Sequence, residues 1–191
     1  MNKDILDFKE SLTNSSFAKQ SQLDKVKETL ERYEQYIRRN CLEIHGVIET
    51  PGESTNDIAI DIFRTMNVNV NPTHIDRSHR LRRKTFGKHR NLPDPIIVKL
   101  VNHDVKDDIF EHRDILRKLP TFRGIFINEN LTSYRRKLYR EVRSLHNLGW
   151  TSWTRDGVIK VCEGPRSQNP QIHSITNYSD YYKIVEHIGN L

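Results

Sequence analysis

Along the first 38 residues the apolar positions recur at alternating steps of three and four. Leu23, Val26, Leu30, Tyr33 and Ile37 form that row, and no glycine or proline interrupts it. This is the a/d seam of a coiled coil. Extended backwards, the register places Leu12 and Ile5 at d, but it also brings Ser16 and Lys19 into the seam and Asn2 and Lys9 to a positions. The seam is therefore sound for its last two heptads and poor before them. A helix of about 37 residues is roughly 55 Å long, too long to fold back on a small body. Its outer faces are charged on all sides through Lys25, Lys27, Glu28, Glu31, Arg32 and Glu34. Self-association is therefore expected in preference to packing against the chain's own domain. The core positions are too few to set the oligomer order.

Beyond residue 38 the period changes. "CLEIHGV" (41–47) alternates Leu42, Ile44 and Gly46 with Glu43 and His45, which predicts a strand. A turn, "ETPGES", leads to a helix starting near Ser54, with Asp57 in capping-box relation and Ile58, Ala59, Ile62, Phe63 and Met66 on the apolar face. "THIDRSHRL" (73–81) reads as a strand with Ile75 and Leu81 inward. "PIIVKLVN" (95–102) is an apolar strand, outward at Ile97, Lys99 and Val101 if Ile96, Val98 and Leu100 are core. Asn102 and Asp104 cap a helix bearing Val105, Ile109, His112 and Leu116, and "GIFINENL" (124–131) is a further strand. Strand, helix, strand, strand, helix, strand is the split βαβ, ferredoxin-like order, with an antiparallel sheet open on one face.

The last sixty residues form a smaller unit. A helix is predicted from Thr132, its N-cap, to Leu148, with Gly149 as its stop. Leu138, Val142 and Leu145 mark the buried face, and Arg136, Arg140 and Arg143 follow steps of four and three on another. "WTSWTRDGVIKVC" is a hairpin turning at Asp156-Gly157. "ITNYSDYYKIVEHI" is a strand or turn followed by a helix. The expected class is α+β: a coiled-coil helix (1–38), a ferredoxin-like, RRM-type βαββαβ domain (39–131) and a small C-terminal α/β domain (132–191).

Composition turns this outline towards a class of partner. Of 191 residues, 35% are hydrophobic and 29% charged, with a net charge of +6. The low apolar share fits a chain with a non-globular portion, and the surplus of bases favours polyanions. The surplus is uneven. Residues 1–37 sum to −1, residues 38–90 to +4, residues 91–130 to −1 and residues 131–191 to +4. Cys41 and Cys162 have no CxxC partner, so neither zinc nor a disulfide framework is expected. The N-terminus has no apolar h-region, and no apolar run is long enough to span a membrane. An intracellular protein without a cofactor is expected.

Catalysis has little support. There is no HExxH, GxSxG, Walker A or Rossmann glycine pattern. "PDPIIVK" (93–99) has the outline of a PD-(D/E)xK nuclease core, but Ile97 stands where the second acid belongs. The basic residues say more. "DRSHRLRRKTFGKHR" (76–90) holds seven Lys or Arg, two His and one acid. A solvated loop or a nuclear import signal would account for such a run. It begins inside a strand, however, so some of its arginines belong to a rigid sheet. Arg77, Arg80, Arg82, Arg83 and Lys84 are its candidate phosphate contacts, with Lys99 outward on the following strand. Arg38 and Arg39 sit at the first helix-to-strand junction. Arg135, Arg136 and Arg140 open the later helix, whose N-terminal NH groups favour phosphate. The guanidinium fork donates two hydrogen bonds to phosphate, and the three groups are expected to face one cleft between the two units. The outward strand positions lack the aromatic RNP pattern, so backbone contacts should dominate stacking. Neutralising about six phosphates of a single strand would then give a log–log salt slope of roughly −4.

Taken in order, "YIRRNCLEIHGVIE", "IDRSHRL", "PIIVKLVN", "IFINENLTSYRRKLYREVR" and "WTRDGVIKV" resemble the first open-reading-frame protein of long-interspersed-element (non-LTR) retrotransposons. The resemblance covers residues 36–162. It implies a trimeric coiled coil, a non-standard RRM and a small C-terminal domain. Together these coat single-stranded RNA with little sequence preference and act as a nucleic-acid chaperone in a cytoplasmic ribonucleoprotein with nuclear access. It also implies binding roles for Arg38, Arg39, Arg135 and Arg136. The coiled coil here is shorter and less regular than the family pattern. The expected function is sequence-tolerant binding of single-stranded RNA, with DNA as a further candidate ligand. The alternative is a coiled-coil interaction module whose RRM-like sheet binds protein.

Overall fold

The computed structural model describes residues 2–82, 92–168 and 170–189. The chain divides into two compact units, residues 1–37 and residues 38–191.

The first unit is one helix, α1 (Asn2–Ile37). The predicted seam residues Leu23, Val26, Leu30, Tyr33 and Ile37 are all exposed. The side chains of Ile5 and Leu12 lie outside the described residues.

The second unit carries two hydrophobic clusters. Its elements run β1 (Cys41–His45), α2 (Thr55–Thr65), β2 (Ile75–Arg80), β3 (Ile96–Leu100), α3 (His103–His112), α4 (Ile115–Lys118), β4 (Phe126–Glu129), α5 (Ser133–Val142), β5 (Trp150–Arg155), β6 (Val158–Glu163), β7 (His173–Ile175) and α6 (Tyr178–Gly189). The first four strands form one antiparallel sheet in the order β2-β3-β1-β4, and the last three form a second sheet, β5-β6-β7. Inward side chains from all four strands of the first sheet (Leu42, Ile44, Ile75, Ile96, Val98, Leu100, Ile127) meet Ala59, Ile62 and Phe63 of α2 and Ile109 and Phe110 of α3 in one cluster. Both helices therefore cover the same face.

Local chemistry sets the element ends. The Ser54 hydroxyl accepts from the Asp57 NH at the start of α2. Gly46 has φ +87°, and a Cβ there would collide with the Gly124 carbonyl, so β1 ends at a residue that only glycine can occupy. The helix expected to run through Leu116 breaks after His112. The Arg113 guanidinium donates to the Phe110 carbonyl, the acceptor that a continuing helix would offer to residue 114.

The second cluster joins Leu138 and Val142 of α5, Leu145 of the 3₁₀ turn that follows, Trp150, Ile159, Val161, Ile175 and Ile184. Thr132 caps α5 by accepting from the Arg135 NH. Gly149 closes the 3₁₀ turn in the left-handed region. Arg155 and Val158 are register partners, so β5 and β6 join through a two-residue turn in which Asp156 and Gly157 both have positive φ. Among the described residues, no helix is long and apolar enough to cross a membrane.

Candidate nucleic-acid interface

A single extra residue decides which arginines of β2 reach the face away from α2 and α3. The β2–β3 register shifts between Ile75 and Arg77, leaving Asp76 as the bulged residue. Because side chains alternate strictly along a strand, one inserted residue exchanges the faces of everything after it. Ile75 is inward as expected, but Arg77 and His79 then turn outward and Arg80 turns inward. Arg77 lies opposite Lys99 of β3, and Lys99 lies opposite Cys41 of β1. Burial pushes the Cys41 thiol upward, and the charges of Lys99, Arg38 and Arg77 oppose that push; the Arg38 carbonyl accepts from the Cys41 NH at 2.8 Å, which sets Arg38 at the start of the same strand. Arg38, Arg77 and Lys99 thus form one band across the face away from α2 and α3. Asp76 partly neutralises it, with an oxygen 2.7 Å from Lys99 Nζ and 3.8 Å from Arg77 Nε. The hydrogen bond and charge of Lys99 hold the Asp76 carboxyl below its usual range.

Arg80 does not belong to this surface, contrary to expectation. It is only 8% exposed. Its Nε and Nη2 donate to the two oxygens of Glu53 at 2.6 and 2.8 Å, and Nη1 donates to the carbonyls of Val47 and Asp94. It ties the loop after β1 to the segment leading into β3, and its donors are spent on the protein. Arg82 is exposed but grips both oxygens of Glu49, at 2.7 and 2.6 Å. Arg83 and Lys84 lie outside the described residues.

The α5 cluster also separates. Arg135 is 7% exposed and donates through Nη1 to the Gly157 carbonyl at 2.9 Å. It is a structural tie to the β5–β6 turn, so its expected phosphate contact is corrected. Arg135 lies three residues before Leu138 and seven before Val142, on the apolar stripe itself. Arg136 is half-exposed and donates to Glu43 Oε1 at 2.7 Å. The Asn130 amide donates to that same oxygen at 3.0 Å, while Arg38 Nη1 donates to Asn130 Oδ1 at 2.7 Å. Arg38 and Arg136, distant in sequence, are thereby joined over a buried carboxylate. Strand alternation turns Glu43 outward, as expected, but these partners cover it. Arg39 and Arg140 are both exposed.

A cleft of about 440 Å³ runs between the outward side of β1 and β4 and the strand β5. Arg136 lines it, as do three arginines that sequence reasoning left out of the site: Arg113, Arg117 and Arg143. Arg143 completes the four-and-three row after Arg136 and Arg140, a signal present in the sequence. Arg113 and Arg117 carry no such signal, because the break after α3 is what turns them. The Arg113 guanidinium lies 3.8 Å from the centre of the Phe110 ring, and burial pushes its pKa down. The cleft also holds Phe126, Tyr139 and Trp153. These rings come from β4, α5 and β5 rather than from the central strands, where an RNP pattern would place them.

His103, Asp107 and Asp156 could reach one cation together. Lys106 Nζ already sits 3.1 Å from Asp107 Oδ1 and 2.8 Å from Asp156 Oδ1, so an ammonium supplies the positive charge there.

In comparisons with known proteins, no family model matches the chain, and no curated protein matches it significantly.

Proposed function

We propose that the chain is a sequence-tolerant, single-stranded RNA-binding nucleic-acid chaperone without catalytic activity, self-associating through α1 as a coiled-coil trimer within a cytoplasmic ribonucleoprotein. The reading extends to the retrotransposon first-open-reading-frame family, whose residue pattern it follows. The strand order β2-β3-β1-β4, with two helices on one face, supports a ferredoxin-like, RRM-type domain over residues 39–131. The observation that carries the binding function is the band Arg38, Arg77 and Lys99 on the face away from α2 and α3 together with Arg136 and the cleft arginines. Such a surface suits a sugar–phosphate chain: guanidinium groups hold phosphates through paired hydrogen bonds and leave base edges free to pair. The bonds of Asp76 and Glu43 to these cations give the surface a weak, exchangeable grip, because phosphate must displace a carboxylate at two of its positions.

Titrating the intact chain with unrelated single-stranded RNAs at two salt concentrations tests this. Similar affinities for all sequences are expected, with a log–log salt slope of roughly −4 if about six phosphates are contacted. No binding at low salt, or binding confined to one sequence, would reject it. The second reading is a protein-interaction module. The internal pairing of Arg80, Arg82 and Arg136 with carboxylates favours it, and failure of the titration at low salt would support it.

A further inference from the structure

Backbone contacts require cations but not aromatic rings, and the cleft has both. Phe126 is an outward residue of β4, left 46% exposed at the end of a strand, and it stands opposite His45 of β1 in the sheet register. Both line the cleft. Trp153 of the edge strand β5 also lines it, on the strand face opposite Ser152 and Thr154, and the Arg166 guanidinium lies 4.3 Å from the centre of the Trp153 ring. That contact occupies one face of the indole, so its other face and edge are what the ring offers to a ligand. Tyr139 donates its hydroxyl to the Ser152 carbonyl, which anchors a third ring in the same wall. The remaining wall carries Asn128, whose amide can donate to or accept from a base edge, together with the carboxylates of Glu43, Asp114 and Glu129; the Ser152 hydroxyl is already bonded to His146 Nε2 at 2.7 Å. The volume lies within the range of about 300–1,000 Å³ typical of small-ligand sites.

We propose that this cleft takes up one unpaired nucleobase of the bound strand, stacked against Phe126 and Trp153, while Arg113, Arg117 and Arg143 hold its flanking phosphates. This rests on the nucleic-acid reading above and deepens it. The protein would hold a strand by its backbone along the sheet and by a single stacked base at the cleft. Every base has a π face, so such a site tolerates sequence. It does not tolerate pairing, because both faces and the pairing edge of a base within a duplex are already engaged. The slot therefore selects single strands over duplexes, a preference that phosphate contacts by themselves do not provide.

The test uses the intact chain and a short single-stranded RNA carrying one 2-aminopurine, whose fluorescence is quenched by stacking. Binding is followed separately by anisotropy. Quenching on binding is expected, together with an about tenfold loss of affinity for Phe126→Ala and for Trp153→Ala. Trp153→Phe should keep most of the affinity, and an abasic strand of the same length should bind about as weakly as the alanine variants do. Phe126 is already half in water, so its truncation leaves the fold in place. If all variants and the abasic strand bind like the unaltered pair, with unchanged fluorescence, the slot is overturned while backbone binding stands. Equal affinity for duplex and single strand also overturns it. If the intact chain binds no strand at low salt, the backbone reading fails and the slot falls with it.

Discussion

Lys106 and Glu129 meet in a buried ion pair, Nζ to Oε1 at 2.9 Å, with Lys106 on α3 and Glu129 at the end of β4. The Glu129 carboxylate also accepts from the backbone NH of Asp156 at 2.7 Å and of Gly157 at 3.1 Å. The turn of the β5–β6 hairpin is thus held on the first sheet by one carboxylate, and Arg135 grips the same turn at the Gly157 carbonyl. Residues 38–191 form one compact unit around two hydrophobic clusters, and these polar ties cross between them. Lys106→Ala would leave Glu129 buried without its counter-ion, which costs about 3–5 kcal/mol. Urea unfolding of the intact chain should show that loss, and a change below about 1 kcal/mol would contradict the role assigned to the pair.

The same network sets an acid limit. Burial would raise the Asp156 carboxyl, but the hydrogen bond and charge of Lys106, with His103 and Arg155, outweigh burial and hold it below its usual range. Asp180 is likewise held low: burial opposes the shift, and bonds from the Thr176 NH and hydroxyl and from Asn177 prevail. A carboxyl depressed in the folded state stabilises above its unfolded pKa of about 3.9 and loses that contribution as pH falls through the lower folded value. Melting temperature should therefore hold down to about pH 4 and fall below it. Asp156→Asn should flatten that fall.

Arg77 and Arg80 belong to one strand and one basic run, yet they should respond in opposite ways. Arg80→Ala removes the guanidinium that pairs with the part-buried Glu53 carboxylate and should destabilise the fold by about 1.5–3 kcal/mol. Arg77→Ala, on an exposed side chain, should change stability by less than about 0.5 kcal/mol and weaken RNA binding equally for all sequences. Unfolding and binding titrations on the two variants separate the effects.

Asp76 competes with phosphate for Lys99 and Arg77. Asp76→Asn should tighten RNA binding at low salt and steepen the salt slope by about 0.7 for each additional phosphate held. An unchanged slope would mean that Lys99 holds no phosphate.

The exposed seam of α1 should carry self-association. Leu30→Asp puts a charge into the seam and should shift the chain to a smaller species in sedimentation equilibrium, leaving the melting of residues 38–191 in place. An unchanged mass would remove α1 from assembly.

Much of this architecture is written in local patterns. The unbroken helical run of α1, the alternation in β1 and β3, the Thr132 cap, and the Asp156-Gly157 turn all depend on neighbours within a few residues, and the structure contains each element where its pattern predicts it. The surplus of positive charge in two segments is likewise a property of the chain itself. Which of those charges meets solvent is not. The bulge at Asp76 exists only against β3, and it turns Arg80 inside and Arg77 out. Arg135 is buried because the hairpin turn arrives over it. The aromatic cleft brings Phe126 and Trp153 together from different sheets. Periodicity assigns a side chain to a face of its own element, but its partner and its burial come from contacts between segments far apart in the chain, and these exist only once the strands have paired and the two cores have closed.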